Sequence, residues 1–187
     1  MPKVIDETLL FQTAMKVLMS KGYSAATTRE IAALSSVNEA TLFRRYGTKA
    51  GLYTQAINRL LSGTPLNHLE YTGNLEDDIR AIVNAYLETY TSNGDIVSMI
   101  FMELPRYAEL KPVTETLFKN LQPSIEIFRR YQEDGRLTPN DPTNEMAALI
   151  GPLMILKTIQ KTELATATSE INPSAYVEIF LKGRMQN

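Results

Sequence analysis

The chain has 187 residues, of which 44% are hydrophobic and 21% charged, so it is long and apolar enough to bury a core. It has no cysteine and a single histidine, His68, which excludes disulfides and metal sites built from thiolates or histidine clusters. The longest uncharged apolar run, 146–156, is shorter than the roughly 20 residues of a membrane span, and the N-terminus lacks a signal-peptide pattern, so we expect a cytoplasmic protein.

Charge is divided unevenly along the chain. Residues 1–61 carry eight Lys or Arg and four Asp or Glu, for a net charge of +4, whereas the remainder carries −6. A basic segment on an acidic body suits a polyanionic partner that binds at one end only.

The hydrophobic pattern predicts an all-α protein, because Val and Ile recur at helical spacing while Gly and Pro fall between such segments. The first predicted helix covers 6–21 and ends at Gly22, a residue type that tolerates positive φ. Its predicted inward-facing side chains are Leu9 or Leu10, Ala14, Val17 and Leu18.

Three polar residues mark the starts of the next three helices. Thr27, followed three residues later by Glu30, forms a capping box for a short helix that ends near Leu34. Asn38 is a good N-cap for a helix through Tyr46, and Thr48 for one that ends at 61 or 62.

After a predicted linker at 62–74, the remaining helices follow from apolar spacing and from proline positions. We predict a long amphipathic helix from Leu75 through Tyr90, and further helices at 95–104, at 113–134 with a kink or break at Pro123, at 143–164 and at 173–184.

Two short helices joined by a tight turn, the second with basic residues at its end, form the geometry of proteins that read the DNA major groove. We expect the helix that follows Asn38 to read base edges, and the basic residues with the N-terminus of the preceding helix to contact phosphates or guanine. The candidate DNA-binding residues are Thr27, Thr28, Arg29, Asn38, Glu39, Ala40, Thr41, Phe43, Arg44, Arg45 and Lys49.

The stretch from Leu10 to about Leu52 resembles the tetracycline-repressor (TetR) family. The matching motifs are Lys21-Gly22-Tyr23, Thr27-Thr28-Arg29-Glu30-Ile31-Ala32, Val37-Asn38-Glu39-Ala40-Thr41-Leu42-Phe43-Arg44-Arg45-Tyr46 and Thr48-Lys49. The chain departs from the family pattern at Ser36 and Ala40, where the family usually has glycine, and at Phe43, where the family has a tyrosine whose hydroxyl contacts a phosphate.

The resemblance implies an N-terminal three-helix DNA-binding head and a C-terminal helical domain for ligand binding and dimerisation. We divide the chain into a helix-turn-helix domain (1–47), a connecting helix (48–62) and a regulatory domain (63–187). The implied function is a homodimeric repressor that a small, largely apolar ligand releases from a palindromic operator, with half-sites about 34 to 36 Å apart. The apolar run 146–156 independently suits a four-helix dimer interface.

The C-terminal half offers candidates for both of these roles. Residues that would line a ligand cavity, or belong to an ordinary core, are Tyr86, Tyr90, Met99, Met102, Phe128, Tyr131 and Met154. Residues expected at the dimer interface are Leu149, Leu153, Leu156, Val177, Phe180 and Leu181.

Two other interpretations stay open at the level of sequence. The helix pair could be incidental to an all-α enzyme or small-molecule carrier, although the chain lacks a nucleophile motif, a metal site, a phosphate loop and any sign of a cofactor. A non-specific nucleic-acid binder would also have a basic end, but Glu39 on the reading helix favours sequence selectivity.

Overall fold

The computed structural model describes residues 5–103, 106–160 and 170–185, and at residues 95, 99, 100, 102 and 103 it describes the backbone alone. This part of the chain holds eight α-helices and no strand, which confirms the all-α prediction. The helices are α1 (Glu7–Ala25), α2 (Thr28–Leu34), α3 (Glu39–Tyr46), α4 (Lys49–Ser62), α5 (Leu75–Glu103), α6 (Lys111–Glu133), α7 (Pro142–Gln160) and α8 (Pro173–Leu181), with 3₁₀ turns at Pro65–His68 and Ala108–Leu110. None of the described helices has both the length and the apolar character that a bilayer crossing needs.

The three predicted N-caps are confirmed, but of the predicted capping box only the Thr27 half is formed among the described residues, because the Glu30 carboxylate binds the Lys21 ammonium. The Thr27 side chain accepts a hydrogen bond from the Glu30 amide at 3.2 Å, and the Thr48 side chain accepts one from the Gly51 amide at 3.0 Å. The side-chain oxygen Oδ1 of Asn38 accepts a hydrogen bond from the Ala40 amide at 2.8 Å. Each cap satisfies a backbone donor that the first turn of a helix leaves without a partner.

Helix α1 leaves helical geometry at Gly22, as predicted, where φ is +72° and ψ is 170°. One further turn follows to Ala25. Of the two alternatives for the first inward-facing residue, Leu10 is fully buried, whereas Leu9 is 46% exposed.

The turn between α2 and α3 contains Ser36 in the left-handed region, with φ of +54°, and no other described residue except glycine has positive φ. The turn therefore keeps the conformation that glycine adopts most easily, although serine occupies it. Gly51 makes a second tight approach in this region, because a Cβ atom there would overlap the carbonyl oxygen of Tyr46. The end of α3 and the first turn of α4 are thus in backbone contact.

Three predictions about the later helices were wrong. Helix α5 is continuous through the predicted gap before residue 95, because Gly94 leaves the space in which the Tyr90 ring packs against its own helix. Helix α6 is continuous through Pro123, so of the two predicted alternatives, a kink or a break, the break is wrong. Helix α8 ends at Leu181 instead of 184, since Lys182 is not helical.

The chain divides into two compact units, and each of α5 and α6 contributes residues to both. Unit 1 comprises residues 1–63 and 95–119. Its core contains Leu10 of α1, Ile31 of α2, Leu42 of α3 and Leu52 of α4. It also includes Leu110, Val113 and Leu117 from residues 95–119. Ile31, Ala32, Leu42 and Leu52 are buried in this core and Val37 packs against it, so these residues hold the helix pair against α1.

Unit 2 comprises residues 64–94 and 120–187. Its core contains Ile79, Ile82, Val83, Phe128, Leu149, Leu153 and Val177. A buried polar group lies at its edge: Asp78 accepts hydrogen bonds from the Thr72 amide at 2.9 Å, the Thr72 hydroxyl at 2.6 Å and the Tyr131 hydroxyl at 2.6 Å. The predicted domains 1–47, 48–62 and 63–187 were defined by function, whereas the two units are defined by packing. The two divisions therefore describe different properties of the chain.

Candidate nucleic-acid interface

Helix α3 presents most of its surface to solvent. Leu42 is its one buried side chain, and it fixes which side of the helix faces the core of unit 1. The other positions of α3, on the side away from Leu42, form an outward edge. Its first turn carries small and polar residues, and its last turn carries basic residues. The exposed predicted residues on this edge are Asn38, Ala40, Phe43, Arg44 and Arg45, while Glu39 and Thr41 are half-buried.

The N-terminal turn of α2 lies against the N-terminal turn of α3. The Thr28 hydroxyl donates a 2.8 Å hydrogen bond to the Glu39 carboxylate, and this bond orients the Glu39 side chain on the outward edge of α3. Thr27 and Arg29 on either side are exposed. The Glu30 carboxylate accepts from the Lys21 ammonium at 2.7 and 2.8 Å, which links α2 to the end of α1.

The two arginines of α3 differ in their surroundings. Arg45 forms a 2.7 Å ion pair with Glu7 of α1, and Glu7 also accepts a 3.1 Å hydrogen bond from the Tyr46 hydroxyl. Burial, followed by this hydrogen bond, raises the pKa of Tyr46. Arg44 is exposed and forms no ion pair with any described residue. Its guanidinium is therefore the more available of the two.

Lys49, in the first turn of α4, is half-buried. Its Nζ donates to the carbonyl oxygen of Tyr23 at 2.8 Å and to that of Ala26 at 3.1 Å, and it lies 4.2 Å from the centre of the Tyr23 ring. Burial lowers the pKa of the Lys49 ammonium. The sequence alone did not identify Glu7 or Tyr23 as partners of these basic residues, because each lies more than 20 positions away along the chain.

The predicted ligand-contacting residues have varied environments. Tyr86, Tyr90, Phe128 and Tyr131 are buried in unit 2, and Met154 is half-buried against the same core. Met99 and Met102 lie outside the described side chains. The hydroxyl of Tyr131 is bound to Asp78, whereas the buried hydroxyl of Tyr86 has no hydrogen-bond partner among the described residues.

The predicted dimerisation residues are mostly directed into the core of unit 2. Leu149, Leu153, Val177, Phe180 and Leu181 are buried in the core of unit 2, and Leu156 is half-buried. The large apolar side chains that α7 and α8 expose are Ile155, at 55%, and Ile179, at 69%. Neither is among the predicted dimerisation residues, since an apolar run around a whole helix does not indicate which of its faces the core of unit 2 covers.

Comparison with known proteins gives matches in both sequence and structure. Residues 10–56 match the family model described as bacterial regulatory proteins, tetR family. The chain is 35% identical over 129 residues to YvkB of Bacillus subtilis, an uncharacterized HTH-type transcriptional regulator, and the match covers 67% of each chain.

Solved structures share the fold over nearly the whole chain. A TetR family transcription regulator from Marinobacter aquaeolei superposes with a TM-score of 0.73 at 13% identity, covering 97% of this chain and 96% of that one. The flavonoid-responsive regulator FrrA superposes with a TM-score of 0.69 at 18% identity, covering 96% of each chain. At these identities the likeness establishes the fold alone.

Proposed function

Because the chain belongs to the TetR family of bacterial regulatory proteins, we propose that it is a homodimeric repressor that a small, largely apolar ligand releases from a palindromic operator. Membership confirms the family resemblance found in the sequence, and it makes the chain a DNA-binding transcriptional regulator and not an enzyme. The operator, the dimer and the ligand response are parts of the proposal. We place its action in the cytoplasm, where the DNA is.

The observation that carries the proposal is the outward edge of α3. The helix is capped at both ends, by Asn38 and by Gly47 with φ of +73°, and it buries one side chain, so its remaining faces are available to a groove. We assign base-edge contacts to Asn38, Glu39, Ala40, Thr41 and Phe43. Phosphate or guanine contacts are assigned to Thr27, Arg29, Arg44, Arg45 and Lys49, and to Thr28 through its backbone amide, because its hydroxyl proton is donated to Glu39.

We propose that a second copy of the chain packs against α7 and α8. Ile155 and Ile179 support this placement, because large apolar side chains on exposed helix faces usually mark an interface. The residues predicted from the sequence for dimerisation are mostly packed in the core of unit 2 instead. They would contribute by holding α7 and α8, and with them Ile155 and Ile179, in position. The regulatory role remains assigned to 63–187, with 1–47 as the DNA-binding domain and 48–62 as the connecting helix.

For the effector, we propose that Tyr86 supplies a polar contact in a largely apolar site of unit 2. A buried hydroxyl without a partner costs roughly 1–3 kcal/mol, which a ligand acceptor would recover. Burial raises the pKa of Tyr86, so the group remains a neutral donor at physiological pH. A neutral ligand with an oxygen acceptor fits this chemistry. The structural neighbour FrrA, described as flavonoid-responsive, shows that the same fold serves a regulator with a small-molecule response.

The test is selection of bound duplexes from a random DNA pool at about 0.1 to 0.15 M salt, where loose electrostatic contacts are already screened. An enriched palindrome with half-sites about one helical turn apart is the expected result. Enrichment of no sequence by the folded protein would contradict the proposal and favour a carrier with an incidental helix pair.

A further inference from the structure

The two aromatic side chains of α3 have different surroundings. Tyr46 packs against the core of unit 1, where its ring lies 5.8 Å from that of Phe11. Phe43 is 48% exposed, and it belongs neither to that core nor to the partly buried side chains packed against it. Packing within unit 1 therefore accounts for the aromatic residue at position 46 but not for the one at position 43.

Phe43 continues an apolar surface that begins at Ala40. The two residues are three positions apart in α3, so their side chains are neighbours on one face of the helix, and both are exposed. Long side chains in a helix also lean toward its N-terminus, which directs the Phe43 ring over the turn that contains Ala40. The first half of the outward edge of α3 thus carries an apolar patch made by Ala40 and Phe43.

Glu39 lies beside this apolar patch and offers a contact of a different kind. It is four positions before Phe43, so the two side chains are also neighbours on the helix surface. The 2.8 Å hydrogen bond from the Thr28 hydroxyl restricts the directions that the Glu39 carboxylate can take. The outward edge of α3 therefore presents a hydrogen-bond acceptor and an apolar patch side by side.

The major groove of DNA contains a partner for each of these two features. Cytosine presents an amino group that donates to a carboxylate, and thymine is the base that presents a methyl group, which suits apolar side chains. A phenylalanine ring has no donor for a phosphate oxygen, and an apolar contact with a base is the use that remains for it on a DNA-binding surface. The chemistry of the patch thus matches the thymine methyl group.

We propose that Phe43, together with Ala40, reads the methyl group of one thymine in each half-site, next to a cytosine that Glu39 reads. The inference rests on the proposed DNA-binding function and deepens it, because it names the bases that this edge selects. Neighbouring side chains on a helix have Cβ atoms about 5–6 Å apart, and bases along one strand rise by about 3.4 Å. The thymine and the cytosine should therefore lie within about two base pairs of each other.

Replacing thymine by uracil in the selected operator tests the inference, because uracil pairs with adenine in the same way and lacks only the methyl group. Each thymine of the half-site is replaced in turn, in both half-sites together, and affinity is measured by fluorescence anisotropy. We expect one position at which the wild-type protein loses about fourfold in affinity for each methyl group removed. This scan needs no substitution in the protein, so it is decisive whether or not a variant folds.

Variants then assign the methyl contact to a side chain. Phe43→Ala should bind the thymine and uracil duplexes equally at the sensitive position, whereas Phe43→Tyr, which keeps the ring, should retain the difference. Leu34→Ala is the matched control, because Leu34 is also a large exposed apolar residue, at 60%, but belongs to α2. It should retain the full difference between the two duplexes.

Three results would overturn the inference while leaving the proposed function intact. Uracil at no position of the half-site lowering the affinity would mean that no methyl group is read. A full thymine–uracil difference in Phe43→Ala would assign the methyl contact to another residue. A sensitive thymine more than about two base pairs from the position at which Glu39→Gln changes base preference would separate the two contacts. A wild-type protein that binds no duplex would instead overturn the proposed function itself, and this inference with it.

Discussion

The Thr28 hydroxyl donates a 2.8 Å hydrogen bond to the Glu39 carboxylate, joining the first turn of α2 to the first turn of α3. A carboxylate on a DNA-reading edge is unfavourable near phosphates unless it is directed at a donor, such as a cytosine amino group. The bond from Thr28 limits where the Glu39 side chain can point, so the selectivity of Glu39 depends on a residue of the preceding helix.

Thr28→Val should therefore relax base preference at the position that Glu39 reads. A hydrogen bond to a charged group contributes roughly 1.5–3 kcal/mol, and because this one is only partly buried we expect the lower end, about a tenfold drop in discrimination. Glu39→Gln, which keeps an acceptor for Thr28 but removes the charge, should weaken the same preference and strengthen binding to unrelated duplexes. Repeating the duplex selection with each variant measures both effects. Half-sites identical to those of wild type would remove Glu39 from the base edge.

The two neighbouring arginines should contribute unequally to DNA affinity. Arg44→Ala is expected to weaken binding more than Arg45→Ala, because Arg45 already forms an ion pair with Glu7. Glu7→Gln should release Arg45 and raise affinity for all duplexes alike. Fluorescence anisotropy at matched salt gives the three affinities. A larger loss in Arg45→Ala than in Arg44→Ala would contradict this ranking.

Ser36→Gly should stabilise the protein by about 1 kcal/mol, because an L-residue in the left-handed region carries a steric cost that glycine avoids. The neighbouring Ser35→Gly is the matched control. Ser35 is buried and donates a 2.6 Å hydrogen bond to the Ile31 carbonyl, so its replacement should destabilise by roughly 1 kcal/mol. Urea denaturation measures both. A stability change of the same sign in the two variants would be inconsistent with the turn conformation described.

Two buried tyrosines of unit 2 should respond in opposite ways to loss of the hydroxyl. Tyr131→Phe removes a donor to buried Asp78 and should cost roughly 1–3 kcal/mol. Tyr86→Phe removes a hydroxyl without a partner among the described residues, so stability should be unchanged or slightly higher. Thermal unfolding of the two variants decides the point. A destabilised Tyr86→Phe would indicate that its hydroxyl already has a partner in the free protein and would remove it as the proposed effector contact.

Ile155→Glu and Ile179→Glu should each shift the proposed dimer toward monomer, since an interface that buries an unpaired charge is strongly weakened. Met185→Glu serves as the control, because Met185 is also 55% exposed but lies beyond the end of α8. Sedimentation velocity across a concentration series gives the association state. Dimers of unchanged strength in both isoleucine variants would place the interface elsewhere.

The sequence predicted the DNA-binding head well because its signals are local. The caps at Thr27, Asn38 and Thr48 each act on an amide two or three residues away, so the chain around them contains all the information that the helix starts require. Gly22 and Gly47 mark helix ends by the same kind of local conformational preference.

Features that depend on distant residues were missed. The pairing of Arg45 with Glu7 and the binding of Lys49 to Tyr23 join segments that only tertiary packing brings together. The continuity of α5 at Gly94 was also missed. Glycine in a helix costs up to about 1 kcal/mol and so favours a break, whereas the packing of the Tyr90 ring requires a residue without a side chain at this position. Which apolar face of α7 is covered likewise follows from the core and not from the pattern along the helix.

Gly51 also limits which substitutions the chain can accept during evolution. Because the Tyr46 carbonyl occupies the place of a Cβ atom, even alanine at this position would separate the end of α3 from α4. Such a substitution would change none of the capping residues and none of the candidate DNA-binding residues, so the mutated sequence would still resemble the same family. Its reading helix would nevertheless be displaced, which makes position 51 a point where the sequence identity of two relatives is a poor guide to whether they recognise the same operator.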